Sequence, residues 1–197
     1  MIGRSQLALK RAFDLILALL ILPVFIGPIL ILIILSSLDV RTNGLFVQKR
    51  IGQHGLPFSI YKIRTLKKVK HPANGFELKA TRLGSFMRRT KLDELPQIFN
   101  IILGQMSFVG PRPDIVGFAD QLVGIDRIIL KVKPGVTGLA TLKYRNEETL
   151  LDSGTMSETQ EALWKDKVRI NRNYVENWSF YLDLQILIRT ISMKKYE

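Results

Sequence analysis

The sequence predicts a mixed, helix-rich α/β domain associated with a membrane, built from a proline-broken, re-entrant N-terminal helix, a small β-hairpin and interfacial amphipathic helices. Three observations predict it. An uncharged apolar run extends from Leu15 to Leu35, two short runs of alternating polarity follow it, and apolar residues recur at helical spacing through much of the remainder. At 197 residues the chain suits one domain with an appendage, divided here into residues 1–39 and 40–197. The net charge of +12 calls for a polyanionic partner: nucleic acid, an anionic membrane surface or a nucleotide-like substrate. The absence of cysteine excludes a disulfide framework and a thiolate zinc site and fits a reducing compartment, and with only His54 and His71 a histidine-rich metal centre is excluded too.

The apolar run, LILALLILPVFIGPILILIIL, is long enough to cross roughly 30 Å of hydrocarbon. It exceeds the h-region of a cleaved signal peptide, and no clear small-x-small cleavage site follows it. Its flanks are basic on both sides, with Arg4, Lys10 and Arg11 before it and Arg41, Lys49, Arg50, Lys62 and Arg64 after it, so the positive-inside rule asks both to stay cytoplasmic. Pro23, Gly27 and Pro28 lie near the middle, where fixed φ and lost donors favour a turn back. Two half-helices of about 12–15 Å each reach only mid-bilayer, which favours a hairpin over a span. Asp14, at the edge of the run, needs a partner; Lys10, four residues earlier, supplies either a simple interfacial salt bridge or a contact that fixes the hairpin.

Beyond Asp39 the turn formers Thr42-Asn43-Gly44 mark a boundary. Leu45 to Arg50 and Pro57 to Arg64 then read as strands flanking a turn from Gly52 to Gly55. Alternation puts Lys62 and Arg64 on one face, either as solvated cations or as a phosphate site. Residues 66–80, with Pro72 and Asn74-Gly75, read as a mobile loop, a lid or merely an exposed segment. Arg82 to Arg89 reads as a helix that brings Arg88 and Arg89 close to the segment that follows.

That segment, Thr90 to Pro113, holds the chemistry. Asp93 and Glu94 precede Pro96, which fits only within a helix's first turn, so a helix enters here with Asp93 as its N-cap. Leu95, Phe99, Ile102 and Leu103 form its apolar face, opposite Asp93, Gln97 and Asn100. A helix N-terminus keeps a carboxylate ionised and attracts phosphate, and an ionised Asp can be a nucleophile; capping carboxylates without any function are also common. After Gly104 and a strand-like run from Met106 to Val109 comes Gly110-Pro111-Arg112-Pro113. Its prolines restrict Arg112, which suits a bidentate grip on phosphate or a surface salt bridge. Asp114 to Val132 reads as an amphipathic helix, Lys131 to Gly138 as a turn-rich run, and Glu158 to Trp178 as a long helix. In the tail, Phe180, Leu184, Leu187, Ile188 and Ile191 share a face with Asp183 off it, which fits a membrane interface or a core.

Leu92-Asp93-Glu94-Leu95-Pro96-Gln97 and Met106-Ser107-Phe108-Val109-Gly110-Pro111-Arg112-Pro113 resemble the signature of the bacterial sugar transferases, the small monotopic phosphoglycosyl transferases. The resemblance extends to Lys10, Arg11, Phe13 and Asp14 at the helix entry, to Tyr61-Lys62-x-Arg64, to Lys133-Pro134-Gly135-Val136-Thr137-Gly138, to Arg145-Asn146 and to the run from Tyr174 to Leu184. There are departures. The family's Ser-Pro at the helix break is Leu22-Pro23 or Gly27-Pro28 here, its Trp-Ala-Gln is Leu139-Ala140-Thr141, and its Gly-Asp-Met-Ser is Gly104-Gln105-Met106-Ser107.

The resemblance implies a transferase at the cytoplasmic face of a bacterial inner membrane, with residues 40–197 as its catalytic domain. It implies transfer of a sugar 1-phosphate from a UDP-sugar to polyprenyl phosphate, with Asp93 as nucleophile, Glu94 as base or supporting partner and Mg²⁺ held partly by Asp93. Arg112 with its flanking Pro111 and Pro113, Arg88, Lys62, Arg64 and Arg145 would bind substrate phosphates. Membrane lipids are further partners, a homodimer is compatible with it, and no nucleic acid is expected. One alternative is a membrane-anchored nucleic-acid-binding module, against which stand the lack of an RNP-like aromatic run, a helix-turn-helix or a zinc pattern. Another is an inactive scaffold of the same fold, at which Gln105 hints.

Overall fold

The computed structural model describes residues 2–71, 75–145 and 156–192. Its first element, α1 (Arg4–Val40), is one helix of 37 residues, about 55 Å long at 1.5 Å per residue. This corrects the expected pair of half-helices: Pro23, Gly27 and Pro28 all lie within continuous helix. Each proline removes one backbone bond at a cost of about 3 kcal/mol. An apolar run offers the freed groups no alternative partner, so the neighbouring bonds hold the helical path. The helix is long and apolar enough to cross a membrane, and Leu19, Leu20, Val24, Leu30, Ile31 and Ile34 are exposed.

The chain divides into two compact units, each discontinuous in sequence. Residues 1–14, 50–58 and 104–197 form the first, and residues 15–49 and 59–103 the second. Strands β1 (Leu45–Ile51) and β2 (Pro57–Ile63) form the expected hairpin, with its turn at Gly52 to Leu56.

In the second unit, the segment read as a loop is instead a hairpin of β3 (Leu66–His71) and β4 (Gly75–Ala80), in register from Leu66 opposite Ala80 to His71 opposite Gly75. Pro72 and Asn74 lie outside the described residues. Its lysines hid the alternation: Lys68 and Lys70 stand opposite Leu78 and Phe76, so one exposed face mixes cations with large apolar side chains. Helix α2 (Arg82–Thr90) is where the sequence places it, capped by Thr81, whose hydroxyl accepts from the Gly84 N–H at 2.8 Å. Lys91, in the left-handed region at φ 60°, ends α2 and turns the chain into a 3₁₀ turn at Leu92–Glu94.

Helix α3 (Gln97–Ile102) follows, with Pro96, not Asp93, at its N-cap position. The expected faces are also exchanged: Gln97 and Asn100 are buried while Leu103 is exposed. Asn100 explains the exchange. Its carboxamide donates to the Ser59 carbonyl at 2.7 Å and accepts from the Tyr61 N–H at 3.0 Å, supplying β2 with the bonds another strand would give.

In the first unit, β5 (Ser107–Val109) pairs in parallel with β6 (Gly135–Thr137), so part of the predicted turn-rich run is a strand. Gly135 is required there: a Cβ on it would come within 2.1 Å of the Gly110 nitrogen. Beside the pair, Val109, Val132, Leu139, Leu142, Tyr174, Val175, Trp178 and Ile186 form the core, drawn from β5, α4 (Leu139–Lys143), α5 (Met156–Glu176) and α6 (Phe180–Ile191). Residues 114–132 are not the expected long helix. Gly117 at φ 98° and Gly124 at φ 61° interrupt them, leaving 3₁₀ segments at Ala119–Gln121 and Gly124–Lys131. In α6, Ile186 and Asp183 are buried whereas Tyr181, Ile188 and Ile191 are exposed, so the apolar face read from the sequence is only partly in the core.

Candidate active site

The αL turn at Lys91 delivers Asp93 and Glu94 side by side into a buried setting in the second unit. Glu94 Oε1 takes an ion pair from Lys62 Nζ at 3.1 Å, so β2 contributes one predicted cation directly. Asp93 Oδ1 is buried and has no hydrogen-bond partner among the described residues. An acceptor stripped of water without a replacement costs about 1–3 kcal/mol, so it marks a place where a ligand or reactant is expected. Burial pushes the Asp93 carboxyl above the usual carboxylate range, and the Glu94 charge beside it adds to that; Lys62, Lys91 and Arg88 pull the other way. The result is a desolvated carboxyl group with three cations acting on it, a setting typical of functional sites.

The predicted residues are thus partly gathered. Lys62, Arg88 and Glu94 act on Asp93, and Lys91, which is not among the predicted site residues, joins them. Arg64 is placed differently, with its Nε donating to the Asn43 carbonyl at 2.7 Å and its guanidinium over the Phe46 ring at 5.2 Å. For a divalent cation the donor set is small: among the described residues no three His, Asp or Glu side chains cluster. Orphaned Asp93 Oδ1 with Glu94 adjacent fits one hard cation that completes its coordination with substrate oxygens and water, as Mg²⁺ usually does.

In the first unit, Pro111 and Pro113 are buried about a half-buried Arg112. The loop is pinned on both sides. The Gly110 N–H donates to the Thr137 carbonyl and the Gly135 N–H to the Pro111 carbonyl, both at 2.8 Å, while Ile51 N–H donates to the Asp114 carbonyl at 2.8 Å. The two motifs around Arg112 and Gly135 are therefore one structural element. Arg145 is half-buried just past α4, and Asn146 lies outside the described residues.

The helix entry differs from expectation. Lys10 pairs with Asp183, Nζ to Oδ2 at 2.5 Å, rather than chiefly with Asp14, and Asp14 Oδ1 accepts the Phe108 N–H at 3.0 Å. Asp183 also accepts from the Tyr174 hydroxyl at 2.7 Å and the Trp178 indole N–H at 3.1 Å, with all four side chains buried. Reading Asp183 as the polar side of α6 missed this; a carboxylate five residues after Trp178 and nine after Tyr174 was the available signal.

The family model for bacterial sugar transferases matches residues 5–195. Among curated proteins, the chain is 38% identical to a UDP-glucose:undecaprenyl-phosphate glucose-1-phosphate transferase of Escherichia coli, over 93% of this chain and 39% of that one. A protein of the same name from Klebsiella pneumoniae is 35% identical over 94% of this chain and 40% of that one. The uncharacterized sugar transferase EpsL of Bacillus subtilis is 34% identical over 93% of this chain and 85% of its own length. The chain thus spans about two fifths of the first two and most of the third.

Proposed function

The chain belongs to the bacterial sugar transferase family, and from that premise we propose that it moves a sugar 1-phosphate from a UDP-sugar to polyprenyl phosphate. The observation that carries the reading is the buried, unpartnered Asp93 Oδ1 under the influence of Lys62, Lys91 and Arg88. An Asp93 oxygen attacks the phosphorus that bears the sugar's oxygen; that bond forms as the phosphoanhydride bond to UMP breaks, leaving a phosphosugar ester on the carboxylate. An oxygen of the lipid phosphate then attacks the same phosphorus and Asp93 leaves, regenerated. Glu94, fixed by Lys62, supports Asp93 as base or hydrogen-bond partner, and the cations hold the charge that moves through the phosphoryl group. Arg112, held between prolines, serves as a bidentate phosphate grip. Mg²⁺ bound at Asp93 would neutralise part of the diphosphate charge. The test is UMP release from a panel of UDP-sugars, with and without polyprenyl phosphate; no release from any donor in the presence of Mg²⁺ overturns it and favours the inactive scaffold.

Ionised Asp93 is the reactive form, so kcat/KM is expected to rise with pH through a value above the ordinary carboxylate range. Glu94→Gln removes the like charge and moves that limb to lower pH, whereas Lys62→Met removes a counter-charge and moves it to higher pH. Limbs that stay in place in both variants would assign the titration to another group.

The membrane seat of this reading is α1, with both of its flanks at the cytoplasmic face and the unbroken helix bent at its prolines instead of divided into two half-helices. Residues 1–14 and 50–58 belong to one compact unit, whereas a straight crossing by residues 15–35 would put about 30 Å of hydrocarbon between them. Recrossing after Val40 would carry Arg41, Lys49 and Arg50 through that layer. Single cysteines in this cysteine-free chain, Ser5→Cys and Leu56→Cys, are expected to label from the same side of intact vesicles. Labelling from opposite sides would replace re-entry by a span.

A further inference from the structure

The first unit contains a cleft of about 260 Å³ that none of the residues assigned above to phosphoryl transfer lines. The head of α1 gives it Lys10, Arg11 and Asp14, with Leu7 and Ala8 as an apolar flank, and Lys133, two residues before β6, enters from the other side. Three cations therefore face one carboxylate. Lys10 is committed to Asp183, and Asp14 accepts the Phe108 N–H. Arg11 and Lys133 converge: Arg11 Nη2 and Lys133 Nζ come within 3.5 and 3.4 Å of the point that a Cβ on Gly104 would occupy. Burial and the Arg11 guanidinium push the Lys133 ammonium below its usual range, Asp14 offsets part of this, and two like charges are still held together in a confined space. Such a pair is stabilised by an anion that accepts from both.

We infer that this cleft binds a phosphate group, with Arg11 and Lys133 as its donors. The volume leaves room for a tetrahedral anion with several waters, each taking about 30 Å³. The position suggests where the phosphate comes from. Asp14 is the last residue before the apolar run, so the cleft lies at the depth of phospholipid headgroups, and Leu7 and Ala8 can meet the first carbons of a lipid. The chemistry shared by all sources is a phosphate ester; the sources are an anionic phospholipid, the polyprenyl phosphate acceptor and free phosphate.

The experiment measures thermal unfolding of the full chain in a non-ionic detergent, titrated with inorganic phosphate against sodium chloride at matched ionic strength. It is repeated in vesicles of phosphatidylcholine alone, with phosphatidylglycerol, and with polyprenyl phosphate. A ligand that binds only the folded state raises the midpoint. The wild type is expected to show a phosphate-specific rise, with the apparent Kd weakened at least tenfold in Lys133→Met and in Arg11→Gln and unchanged in Lys79→Met, a cation exposed on the β3–β4 hairpin. Without phosphate, Lys133→Met is expected to unfold no earlier than wild type, because it removes a confined like charge. Either cleft variant decides the matter if the other fails to fold. A rise confined to one vesicle composition identifies that lipid as the source, and a rise with free phosphate identifies the headgroup phosphate itself. No rise in any arm, or equal rises in wild type and both cleft variants, overturns the inference. Repeating the titration in Asp93→Asn keeps its outcome separate from that of the transfer reaction, since the cleft is expected to bind in the inactive variant.

Discussion

Asp93→Asn is expected to abolish UMP release, by on the order of 10³-fold or more, and to eliminate a phosphosugar mass adduct that the wild type shows on exposure to its donor without lipid acceptor. Asparagine keeps the size of the side chain and removes the nucleophilic charge. The same substitution distinguishes chemistry from architecture through stability. Burial raises the Asp93 pKa, so its ionisation works against folding. The stabilising contribution is complete below the ordinary carboxylate pKa and is lost as pH climbs through the raised value. At neutral pH the Asn variant is therefore expected to melt at or above the wild-type temperature while losing activity. A residue with only a structural role would show the reverse, loss of stability with activity per folded molecule retained. Glu94→Gln should retain part of the activity, because Glu94 acts beside the nucleophile and its charge is already offset by Lys62. Persistent UMP release in Asp93→Asn would move the nucleophile elsewhere.

The acidic pair and its neighbours were legible because local rules act on them. The Pro96 break, the basic end of α2 and the strand alternation that puts Lys62 and Arg64 on one face are all short-range signals, and the structure joins Lys62 to Glu94 and sets Arg88 near Asp93. What stayed hidden depends on partners distant in sequence. Asn100 looked like a solvated residue on a polar face until β2 needed a donor and an acceptor 39–41 positions away. The β3–β4 hairpin was obscured by lysines, whose charge outweighed the alternation when judged without register. Gly135 was read as part of a turn-rich run, and Gly110 only as the residue before Pro111-Arg112-Pro113. They are the points where two chain segments touch, a reason visible only once both are in place. The prolines of α1 pointed to a break because their local cost is known, but the cost of abandoning helix in an apolar stretch is larger.

Asp183→Ala is expected to produce the largest loss of stability of any substitution outside the carboxylate site. It leaves the Lys10 ammonium buried without its counter-ion, and the Tyr174 hydroxyl and Trp178 indole N–H without their acceptor. Removing one partner of a buried pair costs about 3–5 kcal/mol, and orphaned donors add to that without being strictly additive. Against a total stability of about 5–15 kcal/mol this is enough to unfold much of the protein at growth temperature. Asp183→Asn retains an acceptor for the aromatic donors and should lie between wild type and the alanine variant. Lys10→Met leaves Asp183 with two donors and should cost less than Asp183→Ala. The double variant Lys10→Met/Asp183→Leu is expected to be more stable than Asp183→Ala alone, because it removes both charges of the buried pair. Tyr174 adds an alkaline signature. Its pKa is raised well above the ordinary value by burial and by the Asp183 charge, so its contribution is full below about pH 10 and declines as pH rises further. Urea denaturation of the detergent-solubilised chain orders the four variants, and equal midpoints for wild type and Asp183→Ala would remove the network from the account of how α1 is anchored. If the order holds, the Lys10–Asp183 pair ties the head of α1 to the core formed by α5 and α6.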